Sequence, residues 1–258
     1  MILSRLKFHS LLLIFLLLGM LLVGACGQVP MATQETAAPE SRLGTQWGEG
    51  LDSRVTTVKL RRAAGKPVDV NVLAYSAAAG DGGRLREVLV ANGRVGLRVL
   101  TENGAEWPIY RENGAARLVG ESGARYVLEY RNYSDTQTYE IVATVDGLDV
   151  LTGQQGSVRN RGYVLRPGAT LRIKGFRKSS DAVAAFRFAS AADSYAANSG
   201  ARSVANVGVI GSAVFELIAP VPAVVVPGTA SCKQDPCAFP DDRIGSGRQY
   251  ASPPNYRN

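Results

Sequence analysis

The stretch RYVLEYRNYSDTQTYEIVATVDGLD, residues 125–149, decides the fold. Tyr126, Leu128 and Tyr130 alternate with Arg125, Val127 and Glu129; Tyr139, Ile141, Ala143 and Val145 alternate with Thr138, Glu140 and Thr144. A two-residue period sends successive side chains to opposite faces of a strand. Apolar residues on one face and polar residues on the other suit antiparallel sheets packed in a sandwich. Asp146-Gly147 then reads as a turn, since Asp and Gly supply turn geometry. The pair Asp146 and Asp149 also offers two carboxylates to a calcium ion. No other acid lies within the next several residues, which favours the turn.

The same alternation runs outward from Val55 to about Leu217. Val68, Val70 and Val72 alternate with Asp69 and Asn71, and Leu171 and Ile173 with Arg172 and Lys174. Turn signals punctuate it at Gly80-Asp-Gly-Gly83, Glu102-Asn-Gly104, Glu112-Asn-Gly114 and Arg166-Pro-Gly168. Ala182 to Phe188 fits a strand or a short helix, and Ala191 to Asn198 a short helix ended by Gly200. Val207 to Phe215 is nearly all apolar or small and reads as a buried central strand. The expectation is an all-β chain: an antiparallel β-sandwich over residues 51–218, jelly-roll-like or an enlarged immunoglobulin-like domain, of about nine to eleven strands with one short helix.

The ends differ in composition. Arg5 and Lys7 precede an apolar run from Leu11 to Val23, the pattern of a secretion signal over residues 1–25. Residues 26–50 read as a flexible tether, in which Trp47 either opens the fold by packing on the first strand or forms part of a ligand face. Seven of the twelve prolines lie between Pro220 and Pro254, so residues 219–258 read as an extended or disordered tail. Within it Cys232 and Cys237 enclose four residues. Two unlipidated thiols in an oxidising compartment read as a disulfide.

Val23-Gly-Ala-Cys26, a small pair before a Cys at the end of the apolar core, resembles the lipobox of bacterial lipoproteins. The resemblance implies cleavage before Cys26, a diacylglycerol on its thiol and an acylated new amino terminus. Gly27, in place of the Asp tied to inner-membrane retention, implies the outer membrane of a Gram-negative cell. Two or more acyl chains hold a protein stably on a bilayer. The stretch from Tyr139 to Phe215 also resembles a family of secreted and lipid-anchored proteobacterial proteins, through Val145-Asp-Gly-Leu-Asp149, Arg161-Gly-Tyr-Val-Leu-Arg-Pro-Gly168, Ala184-Ala-Phe-Arg-Phe188, Asp193-Ser-Tyr195 and Asn206-Val-Gly-Val-Ile-Gly211. It implies a compact exported domain and carries no chemistry.

The one histidine, His9, falls in the signal. Cleavage before Cys26 leaves 233 residues with 27 basic and 22 acidic side chains. A chain without imidazole cannot run Ser-His-Asp or Cys-His catalysis or ligate a metal through His. Gly-x-Ser-x-Gly, P-loop and Gly-x-Gly-x-x-Gly motifs are all missing. A carboxylate pair for polysaccharide hydrolysis is still open, and no pair stands out among the 22 acids. Residues 159–178 hold seven cations and no acid. Arg172 and Lys174, two apart on a strand, share a face that could meet phosphate or carboxylate groups, or could simply be solvated. Trp107 and Tyr110 flank Pro108 and offer two aromatics to a sugar ring, or pack into the core. The composite expectation is a lipid-anchored outer-membrane protein that binds or scaffolds. Its partners would be the membrane, through its lipid, and an anionic envelope polymer or other envelope proteins; nucleic acid is the least expected. Neither a cofactor nor catalysis is called for, with a glycan-binding domain and a carboxylate-based hydrolase as alternatives.

Overall fold

Asp146 and Gly147 have φ of 53° and 78°, and the residues either side, Val145 and Leu148, face each other across the ladder. This is a two-residue hairpin whose left-handed pair matches the twist of its strands. Asn113 and Gly114, at 48° and 81°, close a second hairpin between Glu112 and Ala115 in the same way.

The computed structural model describes residues 42–78, 82–200, 204–218, 236–238 and 250–256. The strands in chain order are β1 (Leu43–Asp52), β2 (Thr56–Thr57), β3 (Arg61–Arg62), β4 (Asp69–Ser76), β5 (Arg84–Leu85), β6 (Val88–Val90), β7 (Val95–Leu100), β8 (Ile109–Glu112) and β9 (Ala115–Val119). They continue with β10 (Arg125–Asn132), β11 (Thr138–Val145), β12 (Leu148–Asp149), β13 (Tyr163–Leu165), β14 (Thr170–Ile173), β15 (Gly175–Arg177), β16 (Ala182–Ser190), β17 (Val209–Ile218) and β18 (Cys237–Ala238). Among the described residues one short helix, α1 (Tyr195–Asn198), is capped by the Ser194 side chain, which accepts from the Ala197 amide.

The strands form an all-β sandwich of two sheets. The first runs β1-β16-β10-β7-β6, with β14 paired to β10 and β15 to β16. The second runs β2-β18-β13-β11-β17-β4-β9-β8-β5, with β12 on β11 and β3 on β17. Most pairs are antiparallel, and β4–β9 and β18–β2 are parallel. In the first sheet β10 is shared between two partners. Tyr126 pairs with Phe186 of β16, and from Leu128 onward β10 pairs with β14. Lys174, between β14 and β15, stands where the continuous segment leaves one neighbour for the other.

One apolar core joins the sheets. Tyr126, Leu128, Tyr130, Phe186 and Phe188 from the first pack with Leu73, Tyr139, Ile141, Val145, Ile210 and Val214 from the second. Tyr126 stacks between Phe186 and Phe188 at 5.2 and 4.3 Å. Trp47 lies within the first strand itself, not in the tether that the sequence suggests, and packs against Phe176 and Tyr195. Ala182–Ser190 is a strand, and Val209–Ile218 is a central strand between β11 and β4.

The structure differs from the sequence reading in four places. The tether ends earlier than residue 50, because Leu43–Asp52 is a strand paired along β16. Its low apolar content hid it: Gly44 and Gly48 let it lie close against Ser194 and the Ala185 backbone. The described parts of the 219–258 tail are not loose. Cys237–Ala238 pairs with β13 and β2, and the Ala251 amide donates to Arg177 O at 2.8 Å. Cys237 is buried, whereas Cys232, like Cys26, lies outside the described residues. The basic run 159–178 is not one solvated face, since Tyr163, Phe176 and Arg177 are buried within it. Finally, Val68, just before β4, and Val70 and Val72 on it are 44%, 56% and 59% exposed, while Leu73 and Tyr75 of β4 go inward.

Candidate functional site

Two arrangements of polar side chains stand out, one in the core and one on the surface. The core arrangement is built on the Asp146 turn. One carboxylate oxygen accepts from the Tyr75 hydroxyl at 2.6 Å and the Gly208 amide at 2.8 Å; the other accepts from the Thr45 amide at 2.6 Å. Thr45 Oγ1 lies 2.6 Å from both the Tyr75 and the Tyr126 hydroxyls. Burial pushes the Asp146 carboxyl up to about 6, and burial followed by the nearby Asp146 charge raises Tyr75 and Tyr126. All these groups are enclosed and mutually satisfied, so the cluster pins β1, β4, β10 and the β17 entry together and has no face for a ligand. Asp149 does not share in it. Its Oδ1 accepts from the Leu151 and Thr152 amides and the Thr152 hydroxyl, a loop-closing pattern. The turn reading of Asp146-Gly147 therefore describes the local structure, and the two carboxylates go to separate protein partners.

The surface arrangement follows from register. On β10, Glu129 stands opposite Arg98 of β7 on one side and Arg172 of β14 on the other. Arg98 Nη2 donates to one oxygen of Glu129, and Arg172 Nε to the other at 2.7 Å. Glu129 is 1% exposed, while the Arg172 side chain is 60% exposed. A buried carboxylate is thus gripped by two guanidiniums: Arg98 also donates through Nη1 to Glu106, while Arg172, bonded through Nε, leaves most of its side chain exposed. Arg131, two residues along β10 on the same face, is exposed, and its guanidinium lies 5.7 Å from the Tyr133 ring. Lys174, two residues past Arg172, is exposed as well. Among the described residues neither Arg131 nor Lys174 forms an ion pair.

These side chains line one wall of a concave groove of about 1180 Å³. The end of β13 with Arg166, the Pro236–Cys237 segment, and residues 52–54 with Asp181 form the rest. The lining holds six cations, Arg54, Arg98, Arg131, Arg166, Arg172 and Lys174, against three carboxylates, Asp52, Glu129 and Asp181. Among the described residues it contains no aromatic side chain. A low-lying wall with fixed cations concentrates the field and draws anions in.

The structure brings Arg172 and Lys174 into this groove and leaves Trp107 and Tyr110 outside its lining. Trp107 is half-buried and meets Phe188 edge-on at 5.4 Å, with its indole N–H directed to Arg125 O at 3.4 Å. Tyr110 sits half-buried on β8 opposite Arg117. Sequence reasoning missed Arg98, Glu129 and Arg131. Each sits on the polar side of its strand's alternation, so the signal was there, but only register shows that the three strands lie side by side. Metal-ligand clusters of three or more His, Cys, Asp or Glu do not occur among the described residues. Comparison with family models, with curated proteins and with solved structures finds no match to this chain.

Proposed function

We propose that the chain is a lipid-anchored protein of the bacterial cell envelope, held at the outer membrane through Cys26. Its β-sandwich serves as a binding module, and the groove beneath Arg172 and Lys174 takes an anionic ligand. The observation that carries the binding role is the Arg98–Glu129–Arg172 row. Burying Glu129 between two guanidiniums holds both in place, and Arg172, bonded through Nε, keeps its outer nitrogens for a ligand. Charge-assisted bonds from such forks suit carboxylate or phosphate oxygens. The excess of cations over carboxylates among the described lining residues speaks for recognition by charge over sugar stacking or base stacking. The hydrolase reading is less favoured, because Glu129, the buried acid of the groove, is committed to arginines. The Cys232–Cys237 disulfide belongs to the same proposal, as a clasp beside the Pro236–Cys237 wall.

The anchor is tested by fractionation: Cys26→Ser should leave the membrane fraction or keep its signal uncut. A processed, membrane-bound variant would overturn the anchor. The groove is tested with the full chain in detergent and labelled tripolyphosphate. Binding should fall at least tenfold in Arg172→Ala/Lys174→Ala and stay unchanged in Arg61→Ala, an exposed cation outside the groove. Equal losses in both variants would point to net charge alone and sink the groove.

A further inference from the structure

We propose that the groove's ligand is a linear polyanion, laid along a track of evenly spaced cations, and not a single small anion. This rests on the anion-binding reading of the groove and goes beyond it in naming the ligand class. The track is set by backbone geometry. Lys174 and Arg172 are two residues apart on one extended segment, so their Cα atoms are roughly 7 Å apart. Arg131 pairs with Thr170, and Glu129 with Arg172, which makes Arg131 the diagonal neighbour of Arg172. Diagonal neighbours across an antiparallel pair are also about 7–8 Å apart. Lys174, Arg172 and Arg131 therefore form a run of three cations at nearly equal steps on the outer face of the first sheet.

The ion pairs sharpen the pattern. Arg98 is held by Glu106 at 3.1 Å as well as by Glu129, and Arg54 by Asp181 at 3.4 Å. The acids thus compensate the flanks. Along the track Glu129 offsets one charge, while Lys174 and Arg131 on either side of Arg172 have no carboxylate partner among the described residues. A lone phosphate or carboxylate could engage one step of this run and would leave the other cations facing each other. A chain carrying an oxyanion at every repeat could engage all three. Each added contact releases counterions, so affinity should climb with chain length and fall steeply with salt. The shared chemistry is a repeating singly charged oxyanion. Phosphodiester-type and uronate-type chains both supply it.

The full chain in detergent is titrated with orthophosphate, tripolyphosphate, long-chain polyphosphate, polygalacturonate and neutral dextran at several salt concentrations. Long polyphosphate or polygalacturonate, or both, should bind at least tenfold more tightly per anionic group than orthophosphate, and dextran should not bind. The better polymer identifies phosphate or carboxylate as the preferred group. The plot of log affinity against log salt should have a slope of about −2, and Arg131→Ala and Lys174→Ala should each flatten it by about 0.7. Arg131→Lys should keep the slope, which shows that charge at the position matters and that the variants fold. If orthophosphate or tripolyphosphate binds as well per group as the polymers, with Arg172→Ala still abolishing binding, the groove reading stands and the polyanion inference fails. If no anion binds, both fail.

Discussion

Val72 and Leu73 are neighbours on β4, and one is 59% exposed while the other is fully buried. The strand thus turns its valines to solvent and its leucine to the core. Removing the Leu73 side chain would cost both transfer energy and a cavity, whereas Val72 has little to lose. Leu73→Ala should destabilise the domain by about 2–4 kcal/mol, and Val72→Thr by under about 0.5 kcal/mol. Urea unfolding of the two variants checks it. Similar losses at both positions would mean that the strand is turned the other way.

That strand also marks how far the sequence can be read. Alternation says which residues share a face, and it did so correctly for Tyr126, Leu128 and Tyr130 and for Tyr139, Ile141 and Val145, all of them buried. It does not say which face meets the core when both sides carry apolar groups. In the second sheet the outer face is itself partly apolar, with Val142, Ala213 and Phe215 clustered there under Arg62, whose guanidinium lies 3.6 Å from the Phe215 ring centre. β1 was missed for the opposite reason, since LGTQWGEGLD alternates weakly and owes its place to the Trp47 anchor and the Thr45–Asp146 bond. Half the groove was legible in Arg172 and Lys174. The other half depends on three strands coming side by side, and no local pattern carries that.

Asp146 gives the domain a defined response to acid. Its folded-state carboxyl sits near 6 against a usual 3.8, so the folded chain binds this proton more readily than the unfolded chain does. Stability from this group therefore rises as pH falls through 6 and levels off below about 4. Protonation fits the site, because the hydrogen-bonded run through Tyr75, Thr45 and Tyr126 can reverse its donors. Asp146→Asn removes the titration and puts an amide donor against an N–H or hydroxyl donor. Between pH 7 and pH 5 the wild-type chain should gain about 1 kcal/mol relative to this variant. Parallel stability curves across that range would contradict the assignment.

Arg177 is a buried cation whose bonds all go to neutral oxygens among the described residues. Its Nε and Nη2 donate to the Tyr163 hydroxyl at 3.2 and 3.1 Å, and its other donors reach the backbone and side chain of Ser53. Arg177→Met strands the Ser53 carbonyl and the Tyr163 hydroxyl together, at an expected cost of about 3 kcal/mol. In a Tyr163→Phe background the same change should cost about 1 kcal/mol less, as the two side chains share one interaction. Thermal unfolding of the four chains gives the coupling directly, and additive losses would show that the pair is not energetically linked.

The C-terminal segment closes the fold over the same region. Tyr195, at the start of α1, donates to Ser252 O at 2.7 Å, the Asn255 amide donates to Asn198 O at 2.9 Å, and Ala251 is buried against the core. Burial pushes the Tyr195 hydroxyl up to about 12, so it keeps its proton and its donor role through the physiological range. Ending the chain at residue 249 removes an acceptor from Tyr195, takes Ala251 out of the core and frees the Arg177 carbonyl. Three such losses, each near 1 kcal/mol, should lower the unfolding free energy by about 3 kcal/mol. Tyr195→Phe in the full chain should account for only about a third of that. The groove lies elsewhere on the surface, with no lining residue from 250–256. The shortened chain should therefore keep its affinity for anions at temperatures where it remains folded. A truncation that leaves the melting temperature unchanged would show that residues 250–256 rest on the domain without holding it.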